Sequence, residues 1–98
     1  MSVVLIHEGP TVTSDSYHEV VRGLTDGQKD HMESPSDWPV DGLLVHAAGE
    51  GPNGFRVIDV WESEEACNRF GEVLRPHLEA AGITDQPEIY ETHVFVSA

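Results

Sequence analysis

The chain has 98 residues, enough for a single domain spanning residues 1–98 with a modest core. Five Lys and Arg against 18 Asp and Glu give a net charge of −13, which argues against phosphate-tracking nucleic-acid binding and against docking on an anionic membrane. A single cysteine excludes an internal disulfide framework and points to a reducing, cytoplasmic setting; Met1–Ile6 lacks the basic start of a signal peptide, and no apolar run approaches the ~20 residues of a membrane span.

Val3-Val4-Leu5-Ile6-His7 is β-branched and apolar, stops at Gly9-Pro10, and reads as a strand buried on both faces. Ser14 or Asp15 caps a helix whose apolar stripe is Tyr17, Val20, Val21 and Leu24, at i, i+3, i+4 and i+7. Gly23 weakens that helix and Gly27 ends it. Residues 25–41 have no clean period; a short helical turn fits near Lys29–Glu33, and Met32 and Trp38 can fold back over a pocket. Gly42–Ala48 is a second strand, Asn53-Gly54 a hairpin signal, and Phe55–Trp61 a third strand. Ser63 caps a second helix, with Glu64 and Glu65 in the anion-favouring first turn and Ala66, Phe70, Val73 and Leu74 as its inner stripe. Pro76 should kink this helix or start a new turn, and Gly82 stops it. Ile89–Val96 is the last strand.

The order β-α-β-β-α-β is the ferredoxin-like split βαβ pattern: an α+β fold with a four-stranded antiparallel sheet and two helices on one face. The other face is apolar too. Val4, Ile6, Ile58, Val60, Val94 and Val96 would form an exposed patch far beyond a few hundred Å². A second copy of the sheet is the simplest cover, so a homodimer is expected.

The stretch Gly54-Phe55-Arg56-Val57-Ile58-Asp59-Val60-Trp61-Glu62-Ser63-Glu64-Glu65-Ala66, with Phe70 beyond it, ends a strand in Val-Trp-x-Ser and opens an acidic helix. It resembles the antibiotic-biosynthesis-monooxygenase-like group of dimeric α+β barrels over about residues 42–80. The resemblance implies a dimeric α+β barrel with a pocket between helices and sheet in each subunit. Members of that group include cofactor-independent oxygenases of aromatic polyketides, haem-binding and haem-degrading proteins, isomerases and cyclases. In haem-degrading members the first strand offers an Asn and the second helix a Trp and an axial His; the corresponding places here hold His7, Phe70 and, at a shorter spacing, His77.

Six histidines stand out in so short a chain. His7 shares a strand face with Val3 and Leu5, so it enters the pocket if that face meets the helices. His46 interrupts an apolar strand, as a partly wet edge residue or as a pocket base. These are the candidate catalytic residues, His7 first and His46 second. Tyr17, Trp38, Trp61 and Phe70 are the expected substrate-binding walls, with His77 beside them; a helix-end His favoured by the dipole is the alternative for His77. His31 belongs in solvent. Asp59 is costly inside Val-Ile-x-Val-Trp unless it is hydrogen-bonded, to a neighbouring His or to loop backbone, or opens onto the pocket. Cys67 lies beside Glu64 and Glu65, which suits a poor nucleophile. No HxH, HExxH or Cys-His spacing supports a metal centre, although His7, His93 and Glu91 can converge in principle. There is no G-x-S-x-G elbow and no phosphate-binding loop.

The expected function is therefore a small-molecule enzyme: a cofactor-independent, monooxygenase-like catalyst for a phenolic or polycyclic aromatic compound. A haem-binding or haem-degrading protein is one alternative, and a non-catalytic ligand-binding or structural dimer another.

Overall fold

A computed structural model describes all 98 residues. The elements are β1 (Val3–Glu8), α1 (Ser14–Leu24), a 3-10 turn at Pro35–Asp37, β2 (Leu43–Gly51), β3 (Gly54–Trp61), α2 (Glu64–Ala80) and β4 (Glu88–Glu91). The strands form one antiparallel sheet in the order β2-β3-β1-β4. This is the ferredoxin-like α+β arrangement.

Burial alternates along β1, with Val3, Leu5 and His7 buried and Val4 and Ile6 only partly so. The first set faces the helices, where Trp61, Ala66, Cys67 and Phe70 close the main core. α1 begins one residue earlier than its sequence signal. Thr13 lies in the extended region, its hydroxyl accepts the Ser16 N–H, and the Ser16 side chain returns a bond to the Thr13 backbone. α2 begins at the Ser63 cap and runs through Pro76 without a break in the helix. Its end is set by Gly82, at φ 76°, with Ile83 N–H donating to the Leu78 carbonyl.

Besides the α1 cap and the unbroken helix at Pro76, two further elements differ from the sequence reading. The helical turn lies at Pro35–Asp37, not Lys29–Glu33, because Pro35 suits a first helical position and Asp37 accepts the Glu33 and Ser34 N–H groups. The last strand covers Glu88–Glu91 and not Ile89–Val96. The register puts Glu91 opposite Val3, the first residue of β1, and Thr92 donates to the Ser2 carbonyl, so beyond that point the ladder has run off β1. Val94 and Val96 are left exposed.

The register also fixes the sheet's two faces. His46 and Leu43 are three residues apart and could not share one face of an unbroken strand. β2 carries an irregularity between Leu43 and Val45: Leu43 stands opposite Trp61, Val45 opposite Val60, and Leu44 is extruded. Leu43 thereby reaches the core while His46 stays on the helix face opposite Asp59. The outer face carries Val4, Ile6, Ile58, Val60, Val45, Ala47 and Tyr90. No helix is long and apolar enough to cross a membrane.

Candidate active site

β2 and β3 bring His46 and Asp59 together, and α1 lays Tyr17 across them. His46 Nδ1 is 2.6 Å from Asp59 Oδ1, and His46 Nε2 is 2.8 Å from the Tyr17 hydroxyl. A carboxylate only accepts, so Nδ1 carries the hydrogen and, in the neutral ring, Nε2 accepts the Tyr17 O–H. The Asp59 side chain is 3% exposed and its ion-pair partner is His46. The buried carboxylate is thus compensated by an imidazole rather than by Lys or Arg. Burial, with the charges of Asp59 and Asp30 added, pushes the Tyr17 hydroxyl above its ordinary range, while the Met32 N–H at 3.5 Å acts the other way. Tyr17 therefore stands protonated. The Tyr17 and His46 rings are nearly parallel, and Trp38 meets His46 edge-on at a centroid distance of 4.8 Å.

His7 is buried at the end of β1, and its Nε2 lies 2.6 Å from the Asp85 carbonyl oxygen. That oxygen can only accept, so Nε2 holds the hydrogen and the neutral ring keeps its lone pair on Nδ1. Asp85 is itself clamped: its carboxylate accepts the Thr11 N–H at 2.7 Å and the Thr11 hydroxyl. These bonds hold the Asp85 carboxyl below its ordinary range. Gly9, at φ 143°, passes so close to Asp85 that a Cβ would overlap its carboxyl group.

These groups meet at one cavity of about 50 Å³ between the helices and the sheet. Its polar lining residues are His7, His46 and Asp59; the rest are apolar or aromatic, including Tyr17, Trp38, Phe70 and Leu74. The volume holds only a few waters, at ~10–15 Å³ each. Leu5, Phe70, Leu74, Leu78 and Ile83 also border a wider groove of about 600 Å³ between α2 and the β1–β4 edge. The cavity and the groove thus lie on either side of the same apolar side chains. Trp38, from the loop before β2, is buried in the cavity wall, and its indole N–H has no acceptor within the protein.

Of the residues singled out in the sequence, His7, His46, Tyr17, Trp38 and Phe70 line this cavity. Trp61 does not; it is fully buried and stacks behind Phe70 at 4.9 Å. His77 lies in the contact between the helices, over Gly23, where a Cβ would overlap its ring. It is absent from the cavity lining. His31 is exposed beside Asp30. Burial first, then Asp59 and Glu64, push the Cys67 thiol above its ordinary range. The His46–Tyr17 bond has no signal in the sequence; it depends on the packing of α1 over β2.

No family model matches the sequence, and no curated protein does. Among solved structures, SnoaB, a cofactor-independent oxygenase from Streptomyces nogalater, and a mutant of it superpose on this chain with a TM-score of 0.58. The match covers 99% of this chain and 98% of theirs, at 13% and 14% sequence identity. The chain thus shares with SnoaB the ferredoxin-like α+β fold.

Proposed function

We propose that this protein is a small-molecule enzyme: a cofactor-independent, monooxygenase-like catalyst acting on a phenolic or polycyclic aromatic compound. The observation that carries the reading is the placing of His7 and the Asp59–His46–Tyr17 chain on the wall of an otherwise apolar cavity. Oxygenation without a cofactor needs a substrate whose anion is stabilised by an aromatic system. It also needs a base to form that anion and an apolar site in which the anion meets oxygen. Such a substrate would lay its ring system along the groove beneath α2 and press its reacting end past Phe70 and Leu74 into the cavity. The SnoaB likeness supports the same reading at the level of fold.

His7, whose Nδ1 has no partner within the protein, and His46, backed by Asp59 and reached through Tyr17, are the two candidate bases. A positioned base contributes ~10²–10⁴ in rate. His7→Ala should lower turnover by that factor. His46→Ala is the parallel test. Full activity in both variants would overturn the histidine-base reading and leave the cavity as a binding site.

We also propose that the working form is a homodimer joined through the outer sheet face. Val4, Ile6, Ile58, Val45 and Tyr90 form a contiguous apolar surface there, and Tyr90 is 47% exposed in the single chain.

A further inference from the structure

Both ring nitrogens of His46 are engaged, Nδ1 by Asp59 at 2.6 Å and Nε2 by Tyr17 at 2.8 Å. A substrate in the cavity meets no free imidazole lone pair on this residue. The group it can meet at that end of the chain is the Tyr17 hydroxyl oxygen, which donates to His46 and accepts within the protein only a long bond of 3.5 Å from the Met32 N–H. Resting on the functional reading above, we propose that Tyr17 is the catalytic acid–base that touches the substrate, with His46 as the proton store behind it and Asp59 as the positioning residue.

The step balances without any redox change in the protein. The O–H bond of a phenolic substrate breaks and its electron pair stays on the substrate oxygen. The proton goes to Tyr17 Oη, and Tyr17 passes its own proton to His46 Nε2. The products are a substrate anion and a His46 imidazolium beside the Asp59 carboxylate. Molecular oxygen, the oxidant of the proposed reaction, then takes the electron pair of the anion: a C–O bond forms at a ring carbon, the O–O π bond breaks, and the outer oxygen carries the negative charge. The stored proton returns through Tyr17 to that outer oxygen, which leaves a neutral substrate hydroperoxide and His46 and Tyr17 as they began.

Several features of the site fit this role. A buried tyrosine facing Asp59 and Asp30 holds its proton, so it can accept another only by handing its own on at once, and His46 stands in line to take it. His18 is the other titratable ring against Tyr17, at a centroid distance of 5.6 Å. It bonds the Asp30 carbonyl rather than Tyr17, so it offers no competing route. Asp59 is sealed in β3 against His46 Nδ1, so an imidazolium formed during the reaction lies directly beside a carboxylate.

The test uses 4-nitrophenol, whose phenolate absorbs in the visible, added to the whole protein at a pH where the free probe is mostly neutral. The wild type should bind it as the phenolate. Tyr17→Phe, which keeps the ring and removes the hydroxyl, should bind it as the neutral phenol, with the phenolate signal reduced at least tenfold. Asp59→Asn should lose the signal as well, which covers the case in which Tyr17→Phe fails to fold. A wild type that leaves the probe neutral overturns the assignment, as does a Tyr17→Phe protein that ionises it as fully as the wild type. Oxygen uptake on reduced polycyclic aromatics reads the oxygenase proposal separately. Ionisation without uptake removes the oxygenase and keeps the relay. Uptake with undiminished ionisation in Tyr17→Phe removes the relay and keeps the oxygenase.

Discussion

Asp59 sits where the strand pattern calls for another Val or Ile, and its carboxylate is compensated across the sheet by His46. Removing one member of a buried pair strands the other, typically at ~3–5 kcal/mol. His46→Ala should therefore destabilise the protein by about that amount in chemical denaturation. Adding Asp59→Leu should recover most of the loss, since the stranded charge is then gone. If the double variant is no more stable than His46→Ala alone, Asp59 is not paying its desolvation through this histidine. The same experiment guards the kinetic test of His46, because an inactive but folded double variant separates chemistry from stability. Cys67 is a simpler case. Its buried, electronegative surroundings favour the thiol over the reactive thiolate. Native protein should alkylate with iodoacetamide at least tenfold more slowly than urea-unfolded protein; equal rates would place Cys67 at the surface.

At the scale of elements, the segment joining α2 to β4 is pinned to the β1–α1 loop. Thr11 and Asp85 bond each other, the Thr11 hydroxyl accepts the Thr84 and Asp85 N–H groups, and His7 holds the Asp85 carbonyl. The Asp85 carboxyl is held below the ordinary value of 3.8 in the folded state. Its contribution to stability is therefore fully present above that unfolded value and is lost as pH falls through the lower folded one. The wild type should lose stability on acidification below about pH 4. Asp85→Asn should be less stable near neutrality and show a shallower loss over that interval. An unchanged acid limb in the variant would show that Asp85 takes no part. Gly9→Ala tests the same clamp sterically, because the positive φ and the overlap with Asp85 act together.

The order of strands and helices was readable from periodicity and punctuation, since Gly9-Pro10, Asn53-Gly54, Ser63 and Gly82 mark boundaries by their backbone chemistry. Asp59 and His46 were legible as misfits in apolar strands. Their pairing was not, because it depends on the β2–β3 register and the extruded Leu44, and a shift of one residue turns every side chain to the other face. The position of Trp61 behind Phe70, and of His77 over Gly23, is a matter of helix packing that spacing along the chain does not encode.

Across the whole molecule, the two faces of the sheet divide the work. The inner face holds the cavity, and the outer face is proposed to hold a second copy. Val60 is already 8% exposed in the single chain, so a charge there would harm the fold itself. Ile58 is only partly covered and stands opposite Ile6 and Ala47, which makes it the better probe. Ile58→Glu should turn a dimer into a folded monomer of 10.8 kDa by light scattering, because the dimer would bury an unpaired carboxylate at its seam. A wild type that is monomeric at micromolar concentration would remove the dimer from the account. The central proposal is that this protein lets an aromatic substrate react with oxygen without a cofactor. The most direct measurement is oxygen uptake by purified, haem-free and metal-free protein supplied with reduced polycyclic phenols. The account predicts uptake matched by formation of the oxidised product, and its loss by ~10²–10⁴ in the His7 or His46 variants. No uptake above the uncatalysed rate with any of these phenols would contradict it.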